Sequence, residues 1–148
     1  MDEEITMSIP LDEDGCLLLQ CPRCGELFKV LGEDYEAEDV WELWCPMCGI
    51  KSDCFLPEDA LELAKAKVLN HVMETFGKEL ANIGKGLPRQ SPIRLTVTSH
   101  FEKARERELF PAVDAYVSTT CGFCGRSERI KPLLKYIGAF CTFCGERL

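Results

Sequence analysis

The sequence lacks most of the features by which membrane proteins, secreted proteins and common enzyme classes are recognised. None of its apolar runs approaches the ~20 residues that span a bilayer. It contains no phosphate-binding loop, no nucleophile-elbow motif and no His-Glu-x-x-His helix, and its only histidines are His71 and His100. The acidic residues 1–4 lack the positive charge and apolar core of a signal peptide. These absences predict a cytoplasmic protein that has no membrane segment and is not an enzyme.

Basic residues are scarce in the N-terminal part of the chain. Residues 1–60 hold 3 basic and 16 acidic residues, residues 61–120 hold 9 and 7, and residues 121–148 hold 5 and 2, which gives the net charge of −8 at pH 7. Five of the acidic residues fall in the segment 32–39, which we interpret as a solvated hairpin loop. A docking surface for a basic partner is the alternative interpretation of the same charges.

Cysteine, in contrast, is abundant, with 10 residues in the chain. Eight of them form four Cys-x-x-Cys-Gly motifs, which begin at Cys21, Cys45, Cys121 and Cys141. Twenty residues separate the cysteines of the first motif from those of the second, and sixteen separate the third from the fourth. A two-residue gap lets one tight turn direct two sulfurs to one point, and glycine accepts the positive φ that we expect after it. Two such turns at this separation indicate one tetrahedral metal site, so the sequence predicts two sites.

The segments 15–55 and 115–148 resemble zinc ribbons, which are built on rubredoxin-type knuckles. The resemblance implies two Zn²⁺ ions, held by Cys21, Cys24, Cys45 and Cys48 and by Cys121, Cys124, Cys141 and Cys144. Rubredoxins hold a single iron with the same ligand set, so iron is the alternative metal, with the N-terminal site as its better candidate. The resemblance is specific for a fold and a metal site. It does not specify a function, because zinc ribbons occur in transcription factors, ribosomal proteins, enzymes and adaptors.

Redox chemistry is a second interpretation of these thiols. The segment from Trp44 to Cys48 is superficially similar to a thioredoxin active site, whose helix begins at the motif and lowers the thiol pKa. Here Gly49 follows at once, and the first predicted helix starts near Pro57, so we favour metal. Cys16 and Cys54 are left over after the eight ligands are assigned, and we predict that both are small buried residues.

A long amphipathic helix is predicted from Pro57, since proline is favoured at the first helical position. Gly84, Gly86 and Pro88 are typical of its end, and Gly77 is a candidate break within it. Seven apolar residues can line one face: Leu61, Ala64, Val68, Val72, Phe76, Leu80 and Ile83. We expect this face to pack on one or both ribbons. Pairing with a second copy of the chain is the alternative, because Leu69 and Met73 widen the face.

The remaining segments complete the predicted fold. Residues 85–92 are predicted as a linker, residues 93–97 as a half-buried strand, residues 102–108 as a helical turn or hairpin tip, and residues 136–140 as a ribbon strand. The predicted class is α+β, with two small antiparallel β zinc ribbons joined by a long amphipathic helix and an extra β-strand segment. We place domain boundaries at 1–56 (acidic ribbon), 57–92 (helix and linker) and 93–148 (β segment and second ribbon).

Three functions fit these features. The first is a non-catalytic zinc-binding adaptor for protein partners, suggested by the acidic N-terminal part beside an amphipathic helix. The second is a transcription-related nucleic-acid-binding protein, whose C-terminal ribbon offers basic and aromatic contacts: Arg126, Arg129, Lys131, Lys135, Phe123 and Phe143. The phenylalanines of this set are more simply explained as ribbon core. The third is a rubredoxin-like iron electron carrier. The sequence favours them in this order.

Overall fold

The fold is α+β, as predicted, and the computed structural model describes residues 4–85, 102–110 and 115–148. The chain divides into two compact units. The ribbon unit comprises Ser8–Leu61 and Leu109–Leu148, and the helix unit comprises Met1–Met7 and Glu62–Glu108. The predicted linker from 86 onward and the predicted strand at 93–97 lie outside the described residues. The domain boundaries at 56 and 92 stay predictions.

A four-stranded antiparallel sheet forms the centre of the ribbon unit. Its strands are β1 (Cys16–Gln20), β2 (Leu27–Leu31), β5 (Val117–Thr120) and β6 (Ser127–Ile130), in the order β1-β2-β6-β5. A second, two-stranded sheet consists of β3 (Leu43–Trp44) and β4 (Lys51–Ser52). Each long hairpin, β1-β2 and β5-β6, ends in the first knuckle of its own ribbon, because the first two cysteines of each quartet lie in the intervening turn.

The two ribbons share this sheet, which the sequence did not predict. Strands β2 and β6 pair directly, with Lys29 opposite Arg129. Further contacts are reciprocal: the Trp44 amide donates to the Thr142 carbonyl, and the Phe140 amide donates to the Pro46 carbonyl, both at 2.9 Å. Because each contact has a counterpart with the roles exchanged, an approximate two-fold rotation relates the ribbons.

Aromatic rings repeat the same exchange. The Phe140 ring lies against Gly49, and the Trp44 ring lies against Gly145. A Cβ added at either glycine would lie 3.0 Å from ring atoms, so any larger residue would force the ring to move.

Alternation along the strands directs one face of the sheet into a shared core. Phe28, Val30 and Ile130 are fully buried there, and Phe28 meets Phe55 edge-to-face at 5.8 Å between ring centroids. On the other face Lys29 is 1% exposed, and its ammonium lies 2.8 Å from the Asp12 carboxylate, which supplies the charge partner that a buried lysine needs.

Two short helices interrupt the ribbon unit. Helix α1 (Gly32–Tyr35) lies in the predicted acidic loop. Helix α3 (Pro132–Ile137) contradicts the predicted strand at 136–140, because Pro132 favours a helical first turn and Gly138, with φ of 96°, ends the helix. Phe140 alone keeps a β-type contact, an isolated bridge to Arg147.

Helix α2 (Glu58–Lys85) is continuous, so Gly77 does not break it. In the helix unit, its Asn70 side chain both donates to the carbonyl and accepts from the amide of Ala104. Residues 102–108 contain no helical turn, which corrects that part of the prediction, and the alternative of a hairpin tip involves residues outside the described ones. The predicted apolar face is also not buried, since Val68, Val72, Phe76 and Ile83 are exposed. Among the described residues, no helix has the length and apolar character required to cross a membrane.

Candidate metal centres

The N-terminal centre is formed where two knuckle turns face each other. In the first knuckle the Cys21 amide donates to the Glu26 carbonyl, and the Gly25 amide donates back to the Cys21 carbonyl at 3.0 Å. The second knuckle repeats both bonds: the Cys45 amide donates to the Ile50 carbonyl, and the Gly49 amide donates to the Cys45 carbonyl. Gly25 and Gly49 have φ of 75° and 66°, the left-handed region that the sequence predicted for them.

The four sulfurs of this centre lie at the separations that a single metal ion requires. The Sγ atoms of Cys21 and Cys48 are 3.8 Å apart, and those of Cys24 and Cys45 are 3.5 Å apart. A tetrahedron with metal–sulfur bonds of ~2.3 Å places its sulfurs ~3.8 Å from one another. No S–S bond joins them, since all four cysteines are free thiols. All four sulfurs lie within 4.8 Å of one another, so the group could hold one tetrahedral ion.

The C-terminal centre has the same construction. The Sγ atoms of Cys121 and Cys144, and those of Cys124 and Cys141, are each 3.6 Å apart. Gly125 and Gly145 both have φ of 74°. The amides of Phe123 and Phe143 donate to the sulfurs of Cys121 and Cys141, both at 3.4 Å. The structure thus brings together all eight predicted cysteines, four and four.

The environments of the thiols differ within each centre. Burial acts to raise the pKa of Cys121, but hydrogen bonds from the backbone N–H groups of Cys124 and Phe123 and from the thiols of Cys144 and Cys141 together lower the pKa to about 7. Burial dominates at Cys45 and Cys141 and raises the pKa of both thiols far above the ordinary value. A bound cation would supply the positive charge that lets all four sulfurs ionise together.

Neither centre offers an additional protein ligand. Among the described residues, no histidine, aspartate or glutamate joins either cysteine group. Four thiolates complete a tetrahedral shell, so an ion held there has no free position for water or substrate. This coordination suits a structural ion.

The two remaining cysteines differ from each other. Cys16 begins β1 and is buried, as predicted, and burial raises the pKa of its thiol. Cys54 is exposed and lies outside the strands, which corrects the prediction for that residue.

Three of the predicted nucleic-acid contacts are engaged with carboxylates of the same chain. Arg126 pairs with Asp39 at 2.7 Å and with Asp34 at 3.5 Å, both in the acidic segment 32–39. Arg129 pairs with Asp14 at 2.8 Å, and Lys131 pairs with Glu26 at 3.1 Å. The acidic N-terminal part thus supplies the partners of the basic C-terminal ribbon, which no local sequence pattern signals.

The other predicted contacts are divided between surface and core. Phe123 is 77% exposed, and Lys135 is exposed on α3. Phe143 is buried, as expected for ribbon core, with the Arg126 guanidinium 5.4 Å from its ring centroid.

A buried carboxyl between the ribbons was not identified from the sequence. Glu128 is 2% exposed, and its Oε2 accepts the amide N–H of Thr142 at 2.8 Å. Its Oε1 is buried without a hydrogen-bond partner among the described residues. Burial raises the pKa of this carboxyl, although the bond from Thr142 acts to lower it.

Comparison of the chain with protein-family models, with curated proteins and with solved structures finds no match. The assignment of two metal centres therefore rests on the cysteine spacing and geometry described above.

Proposed function

We propose that the protein is a non-catalytic, zinc-binding adaptor in which both Cys₄ centres are structural. The observation that carries this proposal is the closure of both centres, where four cysteine sulfurs lie within 4.8 Å of one another and no histidine or carboxylate of the described residues joins them. Zinc in such a site holds knuckles together and contributes roughly 10–16 kcal/mol of binding free energy in small peptides. It cannot activate a water molecule, since no coordination position is open.

Two measurements test the identity and number of the ions. We expect elemental analysis of the purified protein to give two zinc ions per chain. We expect its solution to show no absorption bands in the visible range. Absorption bands of an Fe(Cys)₄ centre would instead support the rubredoxin-like electron carrier, because four thiolates alone do not choose between zinc and iron. Fewer than two tightly held ions per chain would contradict the proposal.

The adaptor part of the proposal is supported by a groove on the ribbon unit. Trp41, which is 89% exposed, lines it together with Tyr35 and Arg23. Trp, Tyr and Arg are the residues that most often carry the binding energy of protein interfaces. Glu42, Asp53 and Lys51 line the same groove, and Lys51 pairs with Glu42 at 2.7 Å. With Arg23 the groove holds two basic and two acidic side chains, so its exposed rings are the feature that suits it to a partner.

Affinity capture with a single-site variant tests this surface. The metal-loaded wild-type protein should retain a protein partner from native lysate at moderate salt, and Trp41→Ala should lose the same partner while keeping two ions. Tyr136→Ala, which removes another exposed ring (88% exposed) from α3, is the matched control and should keep it. Recovery of no protein by the wild type would contradict the adaptor role.

Nucleic-acid binding is the second candidate, favoured by one observation. Phe123 and Tyr136 are exposed rings of the C-terminal ribbon, and exposed rings can stack on the bases of a single strand. The ion pairs of Arg126, Arg129 and Lys131 weigh against it. Titration of the full chain with labelled single-stranded DNA and RNA at two salt concentrations is the test. Salt-dependent binding that Tyr136→Ala weakens would support this candidate, and the absence of binding would remove it.

A further inference from the structure

One side of helix α2 exposes a row of large apolar side chains. Successive helix positions are 100° apart, and these apolar positions all fall within about one third of the helix circumference. We call this row the apolar stripe. Five of its members are exposed by 47–59%, and a sixth, Leu80, is half-buried; the exposed five are Val68, Leu69, Val72, Phe76 and Ile83. Few proteins leave such a row in water without a partner.

Hydrogen bonds and ion pairs join the other side of α2 to described residues of the helix unit. Asn70 bonds to Ala104 and Glu106, Glu74 pairs with Lys103, and Lys67 donates to the carbonyl of Thr6. These three helix positions lie about 140–160° around the helix from Val72. The described segments 4–7 and 102–108 are therefore bound by the polar side, and they leave the stripe uncovered.

Two charged residues lie within the same sector between positions 65 and 83. They are Lys65 and Glu79, both exposed, and they stand seven residues before and seven residues after Val72. This placement is symmetric in position and opposite in charge about Val72. An inverted copy of the helix would therefore place each of these charges opposite the other.

We propose that two copies of the chain associate through an antiparallel pairing of their α2 stripes, centred on Val72. In this register Val72 meets its own counterpart, Val68 meets Phe76, and Lys65 of each copy meets Glu79 of the other. A parallel pairing in register would instead place Lys65 against Lys65 and Glu79 against Glu79. The charges thus select the antiparallel orientation, as charged positions do at coiled-coil interfaces.

The association rests on positions 65–83 alone and is independent of the function proposed above. Burial of the apolar stripe supplies its free energy. The two Lys65–Glu79 pairs set its orientation. Reversing one charge turns both attractions in the dimer into repulsions, which we expect to raise the dissociation constant about tenfold or more.

Sedimentation of the full-length, metal-loaded protein over a range of concentrations is the experiment. The wild type should reach twice the 16.7 kDa mass of one chain. Lys65→Glu alone and Glu79→Lys alone should each sediment as monomers at concentrations where the wild type is dimeric. An equimolar mixture of these two variants should regain the double mass, because each contact between position 65 of one variant and position 79 of the other again joins an acidic and a basic side chain.

Lys78→Glu is the matched control, since it reverses an exposed charge on the opposite side of the same helix, and it should leave the mass unchanged. Helical circular dichroism verifies that every variant is folded. A wild type that stays monomeric at all concentrations overturns the proposal. A stripe that is covered by another part of the same chain would give this monomeric result. Single variants that remain dimeric, or a mixture that stays monomeric, overturn the antiparallel register.

Discussion

At the scale of single residues, the cysteine spacing contained most of the information about the metal centres. Each Cys-x-x-Cys-Gly motif predicts its own turn, because the glycine takes the positive φ and the turn directs both sulfurs to one side. The exposure of Cys54 could not be predicted in this way. It depends on the path of residues 53–56 after β4, which no repeat in the sequence describes.

A serine substitution distinguishes ligand cysteines from the others. Cys45→Ser should bind one ion per chain instead of two and lose several kcal/mol of stability, because the remaining three thiolates no longer close a tetrahedron. Cys54→Ser, an exposed position outside both groups, should keep two ions and an unchanged thermal transition. Elemental analysis with thermal denaturation measures both effects. Two ions retained by Cys45→Ser would contradict the assignment.

The buried carboxyl of Glu128 predicts a dependence of stability on pH. Burial raises its pKa above the ordinary 4.5, so the folded chain holds this proton more tightly than the unfolded chain. The resulting stabilisation is complete below pH 4.5 and is lost as the pH rises through the raised pKa of the folded state.

Glu128→Gln removes this titration and keeps an oxygen that accepts the Thr142 amide. We expect the wild type to lose stability relative to the variant as the pH rises from acid to neutral, by about 1.4 kcal/mol for each unit by which the pKa of the folded state exceeds that of the unfolded state. Denaturant unfolding of both proteins across this range measures the difference, in which the shared pH dependence of metal binding cancels. A difference that stays constant with pH would contradict the prediction.

At the scale of elements, helices and strands were predicted where the pattern was long and local. Helix α2 lies where its apolar period predicted it. Helix α3 was missed, because its six residues include few periodic positions and the ribbon resemblance favoured a strand there. The exposure of the α2 stripe was also missed, since an apolar period shows that a face is suited for burial but does not identify what covers it.

The continuity of α2 through Gly77 leads to a prediction for two glycines. A Cβ at Gly77 would meet nothing within 4 Å, so Gly77→Ala should stabilise the helix by about 1 kcal/mol through its higher helix propensity. Gly15 is equally unobstructed but has φ of 75°, so Gly15→Ala should destabilise the protein by about 1–2 kcal/mol. Denaturant unfolding measures both effects. A loss of stability in Gly77→Ala would indicate that the helix is distorted there.

At the scale of the whole chain, the pairing of the two ribbons was the feature that sequence reasoning could not reach. Strands β2 and β6 are about one hundred residues apart, and neither strand has a sequence pattern that predicts pairing with the other. The partners of Arg126 were missed for the same reason, since Asp34 and Asp39 belong to the other ribbon. Both features arise from tertiary pairing, whereas each metal centre arises from local turns.

Because the ribbons share one sheet, damage to one metal centre should be felt in the other ribbon. Cys141→Ser should lower the hydrogen-exchange protection of the β1 and β2 amides at least about tenfold, equivalent to ~1.4 kcal/mol. The Trp44–Thr142 and Phe140–Pro46 backbone bonds are the connections through which we expect this loss to pass. Native-state hydrogen exchange measures the protection residue by residue. Unchanged protection in β1 and β2 would show that the ribbons unfold independently.

The approximate two-fold rotation also means that each position in one ribbon has an equivalent position in the other ribbon. A methyl group placed at Gly49 presses on a phenylalanine, and one placed at Gly145 presses on a tryptophan in the corresponding position. Any alteration made in one ribbon can therefore be repeated at its twin within the same polypeptide. If the two equivalent substitutions change stability equally, the effect comes from the structure that the two ribbons share. If they differ, the effect comes from a feature that only one ribbon has.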